Sequence, residues 1–191
     1  MEREERKAEY LEHFADAFAE YGIDKTSIKK LAGAAGINEA SIYQYFKNKD
    51  DIIVELVKRY FDTVREEIFP ILIDEKISPQ LRMQRLINYR SKTDSRAKFV
   101  IQVLTNPQYS ELCKPELKEF LDGIREIGVK LSGQLKLSED QAQSFVILVY
   151  SSLVADKIFN CKSILSDELE LLQSVGYHAR KDLDEASALP Y

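Results

Sequence analysis

Tryptophan is absent from this chain of 191 residues, which also has only two cysteines and two histidines. Cys113 and Cys161 lie far apart in no CxxC pattern, and His13 and His178 are as widely separated, so the ligand spacings of a zinc or similar site are missing. No metal and no other cofactor is expected, and buried, reduced thiols are the ordinary reading of both cysteines. No recognisable motif gathers acid, base and nucleophile groups, which argues against an enzyme. The longest apolar stretch, "FVILVYSSLVA" at 145–155, is about half of the roughly 20 residues that cross a bilayer. It reads as core, and no membrane association is expected. The opening "MEREERKAEY" is charged throughout, with no apolar run behind a basic start, so a secretory leader is not expected and a cytoplasmic location is.

With 45% hydrophobic residues the chain can build a sizeable core. Its charge is unevenly spread. Lys25, Lys29, Lys30, Lys47 and Lys49 face one acid, Glu39, across residues 25–49; this local +4 leaves −9 on the rest of a chain whose net charge is −5. One anion-facing patch on an otherwise repelling body is the implication, and it limits non-specific association with nucleic acid.

The periodicity is helical throughout. Leu11, Phe14, Ala15 and Phe18 follow the i, i+3, i+4, i+7 spacing of an amphipathic helix, which Gly22 can end in a left-handed cap. Thr26 or Ser27 can cap a short second helix whose inward residues are Ile28, Leu31 and Ala32, and Gly36 permits the turn after it. Asn38 is placed to cap a third helix, with Ile37 and Ile42 as a hydrophobic staple. Asn48, with Asp51 three residues on, can cap a long fourth whose inward stripe is Ile53, Leu56, Val57, Tyr60, Val64 and Ile68. Beyond Pro70 the pattern stays helical, with Pro79, Pro107 and Pro115 where proline starts or separates helices. "SEDQ" at 138–141 is a capping box opening the most apolar segment. There is no convincing alternating run, internal repeat or low-complexity linker, so the expected fold is all-α.

The third helix, expected over residues 39–46, has an unusual outer face. At 100° per residue with Ile42 at zero, Phe46 falls at about 40° and Tyr45 at about 300°, which puts all three inward. Outward stand Ala40 and Gln44, flanked by Ser41 and Tyr43. These groups are small or hydrogen-bonding where a solvated helix carries long charged side chains, and they suit close approach to another surface. Two short helices joined at Gly36-Ile37-Asn38 match a helix-turn-helix, whose second helix enters the DNA major groove. Gln44 can pair with an adenine edge, Ala40 and the ring of Tyr43 can meet a thymine methyl, and Ser41 can bond a base or a phosphate. Glu39 can accept from a cytosine amino group or simply favour the helix start. Lys49 opposes the helix dipole in a first turn, as does Lys29, and a phosphate at each end would resolve the conflict.

From about Tyr10 to Phe61, and most sharply in "TSIKKLAGAAGINEASIYQYFKNKDDI" at 26–52, the sequence resembles the tetracycline-repressor (TetR) family of bacterial regulators. Thr26, Ala32, the Ala35-Gly36 pair, Ile42-Tyr43, Tyr45-Phe46, Lys49 and the aliphatic Ile52 fall at the family's spacing. The resemblance implies an N-terminal three-helix DNA-binding domain, here residues 1–48, and a larger C-terminal helical domain, 49–191, that binds a small-molecule effector and pairs two subunits. Carried over by position, Thr26 is the cap residue that also meets a phosphate. The full set expected at DNA is Thr26, Ser27, Lys29, Glu39, Ala40, Ser41, Tyr43, Gln44, Tyr45 and Lys49. Glu39 and Ala40 depart from the basic or polar residue and glycine frequent there, and Lys30 replaces a frequent acid. The implied function is a homodimeric repressor released from a palindromic double-stranded DNA operator by a small molecule; an activator of the same fold, or a helical protein-interaction module, are the alternatives.

For the second domain the residues alone name no ligand. Tyr89, Phe99, Phe120, Phe145 and Tyr150 are candidates to line an apolar cavity, against the plainer reading of core. Gly123, Gly128 and Gly133 share one helical pattern and fit either bending around a pocket or close helix packing. Residues 139–160 are apolar on nearly all sides, which implies burial against both their own domain and a partner. Leu153 there, with Leu169, Leu172, Gly176 and Ala179 of a last helix, is expected at a two-fold interface.

Overall fold

The computed structural model describes residues 3–87 and 94–159, and every regular element among them is a helix. In chain order these are α1 (Arg3–Tyr21), α2 (Ile28–Ala34), α3 (Glu39–Tyr43), α4 (Lys49–Thr63), a π-helical segment (Val64–Ile68), α5 (Phe69–Ile73), α6 (Pro79–Ile87), α7 (Asp94–Thr105), α8 (Pro107–Leu112), α9 (Lys114–Leu135) and α10 (Glu139–Phe159). Tyr89, Cys161, His178, Leu169, Leu172, Gly176 and Ala179 lie outside the described residues.

Local rules set most of the ends. Gly22 takes φ +84° and donates its N–H to Phe18 O at 2.9 Å, closing α1 with the left-handed residue that lacks a Cβ penalty. Gly36 does the same for the turn after α2, at φ +67°. Asn38 Oδ1 accepts from Ser41 N–H at 2.8 Å and starts α3. Asn48 Oδ1 accepts from Asp51 N–H at 2.8 Å while Asp51 Oδ2 accepts from Lys47 N–H at 3.0 Å, so each satisfies a donor near the other at the start of α4. Ser138 and Gln141 exchange side-chain-to-backbone bonds in the same way before α10. Between the two residues that could cap α2, the structure selects Ser27, whose Oγ accepts from Lys30 N–H at 3.3 Å.

Two elements differ from the sequence expectation. The third helix ends at Tyr43, and the N–H groups of Tyr45 and Phe46 both turn to Ile42 O, at 2.9 and 3.0 Å. The long fourth helix gives way at Val64 to the π-helical segment, after which Pro70 lies in the first turn of α5. Proline supplies no N–H to an α-ladder, and a widened turn beside it is one of the irregularities a helix adopts there.

One continuous apolar cluster runs from Leu11 to Leu153. α4 contributes Ile52, Ile53, Leu56 and Val57, each at most 1% exposed, and α10 contributes Ala142, Val146, Val149 and Leu153 at helical spacing. Leu153 is 7% exposed within its own chain. Among the described apolar side chains of α10, Ile147 and Leu148 stand open, at 47% and 37% exposure. Close packing, the second of the two readings of the glycines, holds at Gly128, where a Cβ would stand 3.2 Å from backbone atoms of Gln143. Cys113 is buried, and burial, reinforced by Glu116 and Asp50, pushes its thiol up to about 12, far from a reactive thiolate.

Candidate nucleic-acid interface

The inner side of the helix pair is fully used by the core. Leu31, Ala32, Ile42 and Phe46 are at most 3% exposed, and Phe46 lies edge-on to Phe14 of α1 with ring centroids 5.9 Å apart. Tyr45 is half-buried, edge-on to Tyr10 at 5.4 Å. The outer side holds Glu39, Ala40, Tyr43 and Gln44, all exposed, with Tyr43 at 56%. Ser41 is half-buried and its hydroxyl donates to Asn38 Oδ1 at 3.0 Å, so part of its hydrogen-bonding capacity serves the cap.

Arg3, which the sequence reading passed over, completes this element. Its Nη2 donates to Gln44 O at 2.7 Å and its guanidinium stands 5.6 Å from the centre of the Tyr45 ring. A cation on the carbonyls that end α3 complements the helix dipole and fixes the base of the outer face. No spacing rule reaches it, because the partner lies 41 residues away.

The lysines separate into two groups. Lys25, Lys29 and Lys47 are exposed around the turn. Lys30 is drawn back, its Nζ donating to Lys25 O at 2.9 Å and lying 5.0 Å from the centre of the Tyr21 ring. Lys49 is half-buried and its Nζ donates to Ile23 O at 2.5 Å. Burial lowers its pKa, while Asp24 and Asp50 oppose that shift. The dipole conflict at the head of α4 is thus relieved inside the chain by a carbonyl and two carboxylates. Thr26 requires a correction: it is 0% exposed, and its hydroxyl donates to Gly22 O at 2.7 Å. A buried hydroxyl must find a partner, and this one holds the turn, which leaves it turned away from any phosphate.

Behind this unit lies a seam with the C-terminal helices. Phe18 of α1 stacks on Phe99 of α7 at 5.3 Å, and Arg96 Nε donates to Glu12 Oε2 at 3.0 Å. Ile23 is held through both halves of its backbone. Its N–H donates to Gln102 Oε1 on α7 at 3.2 Å, and its carbonyl takes the Lys49 ammonium of α4. The next residue, Asp24, accepts from the Tyr109 hydroxyl at 2.5 Å, and burial together with that carboxylate pushes the phenol up to about 12.

The opposite face of α7 bounds an apolar cavity of about 380 Å³. Ala97, Val100, Ile101 and Leu104 form one wall, Tyr60 of α4 another, and Tyr150, Ser151, Val154 and Ala155 of α10 the third. Of the aromatic candidates, Tyr150 lines it. Phe99 and Phe120 do not: Phe99 is 0% exposed against Phe18, and Phe120 is 3% exposed, stacked on Phe61 at 4.2 Å and on Phe69 at 5.9 Å. Phe145 is half-buried against the core and is not among the lining residues. The wall on α7 carried a signal that was open to reading, since 97, 100, 101 and 104 are i, i+3, i+4 and i+7.

Residues 15–56 match the family model described as "Bacterial regulatory proteins, tetR family". The chain is 32% identical over 81 residues to the HTH-type transcriptional repressor KstR2 of Mycobacterium tuberculosis (strain ATCC 25618 / H37Rv), a match covering 42% of this chain and 40% of the relative. It is 24% identical over 160 residues to KstR2 of Rhodococcus jostii (strain RHA1), covering 78% of each. The first of these relatives is thus spanned over about two-fifths of its length. Among solved structures, the transcriptional regulator FadR from Bacillus subtilis in complex with stearoyl-CoA superposes with a TM-score of 0.61 at 18% identity, over 87% of this chain and 97% of that one. That likeness shows a shared all-helical fold. No helix among the described residues is long and apolar enough to cross a membrane.

Proposed function

We propose that the chain, whose residues 15–56 match the tetR-family model, is a ligand-responsive transcriptional repressor, acting as a homodimer on a palindromic DNA operator. The observation that carries the reading is the division of labour on α3. Its inner side is wholly committed to the core, while Glu39, Ala40, Tyr43 and Gln44 are exposed, as are Lys25, Lys29 and Lys47 on the flanking segments. Gln44 and Ala40 read base edges, Tyr43 and Ser41 contact bases or backbone, and Ser27 and Lys29 hold phosphate. Lys49 and Tyr45 support this surface from behind. Residues 1–48 form the reading domain and 49–191 the sensing and pairing domain, with Leu121, Val129, Ile147 and Leu148, all more than a third exposed, offered to the second copy together with Leu169, Leu172, Gly176 and Ala179.

The effector is received in the cavity between α4, α7 and α10. Those two helices, α4 and α7, also hold the two backbone atoms of Ile23, so a ligand that changes their separation moves the turn that leads into α2. Two reading helices bound to one operator must sit about 34–36 Å apart, and displacement of that turn alters the spacing. The coupling is reciprocal and in such systems amounts to about 1–3 kcal/mol. Shortening Gln102 to alanine removes the hold on Ile23 N–H. Gln102→Ala is expected to reduce the ligand-induced loss of DNA affinity several-fold while leaving DNA binding without ligand within about threefold, on the coupling scale above; titrations with and without ligand check it.

Fluorescence anisotropy against the DNA upstream of the protein's own gene tests the reading. Two chains are expected per operator duplex, with a steep loss of affinity as salt rises. Gln44→Ala is expected to lose about 1–3 kcal/mol of discrimination between operator and mismatched sites, and Lys29→Ala to weaken all sites alike and lower the salt slope by about 1. A salt-insensitive interaction would point to a protein groove as the partner of α3, and one chain per duplex would remove the dimer.

A further inference from the structure

The cavity is alkyl on most of its wall; apart from Ser151, which is exposed, its polar side chains form one pair. Tyr60 and Tyr150, from α4 and α10, meet hydroxyl to hydroxyl at 3.3 Å, long beside the usual O–H···O distance of about 2.7–2.8 Å. Two hydroxyls bring two hydrogens, and the bond between them uses one. The other has no acceptor among the described residues. Tyr60 is 4% exposed, so water does not readily supply one. Burial raises both phenols above their ordinary range, which keeps the pair protonated and makes it a donor.

The described lining residues include no charged side chain. A carboxylate or phosphate placed here would lose its hydration with no cation to replace it. A neutral acceptor oxygen instead satisfies the spare hydrogen at little desolvation cost. The volume, about 380 Å³, lies at the lower end of the roughly 300–1,000 Å³ of small-molecule sites, which suits a compact hydrocarbon skeleton.

We infer that this cavity takes the uncharged, apolar portion of a carbonyl compound, a ketone, ester or thioester, with its carbonyl oxygen on the spare hydrogen of the Tyr60–Tyr150 pair. The inference rests on the effector reading above and specifies its chemistry. Any charged group of the same ligand lies outside these walls.

The test uses the full chain and a neutral fluorophore without oxygen, N-phenyl-1-naphthylamine, competed by 2-decanone or by decanoate at pH 8. The ketone is expected to compete at about tenfold lower concentration than the carboxylate. In the Tyr60→Phe/Tyr150→Phe double variant it is expected to lose about fivefold to tenfold in affinity while the fluorophore binds as before. Equal or better competition by decanoate, an indifferent double variant, or no fluorophore binding to the unaltered chain would each overturn the inference. Should the double variant fail to fold, the ketone-against-carboxylate comparison on the unaltered protein still decides. Ketone binding that leaves DNA affinity unchanged would keep the cavity chemistry and remove its regulatory role.

Discussion

Replacing Phe18 with alanine is expected to destabilise the folded chain by about 3–5 kcal/mol, the range for emptying a buried aromatic position. Phe18 is 0% exposed and stacks on Phe99 with ring centroids 5.3 Å apart and planes 25° from parallel. It joins α1 to α7, and the lost contacts therefore fall on the seam between the N-terminal helices and α7. The cluster to which it belongs is closely packed, with Phe14, Leu31 and Val103 also 0% exposed. Urea unfolding followed by circular dichroism measures it. Phe99→Ala should cost a similar amount, and the double variant should cost less than the two added together, since the rings share one interaction. A loss below about 1 kcal/mol for Phe18→Ala would mean that the seam is not packed as described.

The second large effect is at Gly128. A Cβ there would stand 2.5 Å from Gln143 Cγ and 3.2 Å from its Cα and N. The side chain of Gln143 can swing aside, but its backbone cannot, so α9 and α10 must part. Gly128→Val is expected to cost about 1–3 kcal/mol or more, the usual range for overpacking. The same helix supplies its own control at Gly133, where a Cβ meets nothing within 4 Å. Gly133→Ala should stabilise by about 0.5–1 kcal/mol, through helix propensity alone. Thermal melts of the two variants should shift in opposite directions. Parting α9 from α10 also displaces Tyr150, so Gly128→Val should weaken binding in the cavity as well.

What could be read from the sequence divides along the distance between interacting residues. Gly22, Asn38, Asn48 and the Ser138–Gln141 pair act within four residues of themselves, and each does in the structure what its local pattern implies. The outward set of α3 was legible for the same reason, since one turn of helical geometry places it. Lys49 was not, because the carbonyl it holds is 26 residues away and the sequence shows only a cation against a dipole. Phe99 and Phe120 look alike as candidates for a cavity, and only the helices packed against them decide that both are core. Thr26 and Ser27 can each cap α2 by pattern; burial of one hydroxyl settles which does. The cavity was half visible, in the spacing of Ala97, Val100, Ile101 and Leu104, but its closing walls come from α4 and α10, elements far away along the chain.

The π-helical turns at Val64–Ile68 bear on how this molecule tolerates changes in length. Such a segment bonds over five residues where the α-helix uses four, so it accommodates one residue more than a regular ladder requires. Deleting one residue from it would restore the ladder, leave Tyr60 at the cavity, and keep everything beyond on nearly its present face, because five residues of such a segment turn about as far as four of an α-helix. Phe69 would then keep its place against Phe120. Exchanging an α turn for a π turn thus lets a helix absorb an inserted residue without expelling a loop, and this chain already carries one such residue between the cavity at Tyr60 and the aromatic stack behind it.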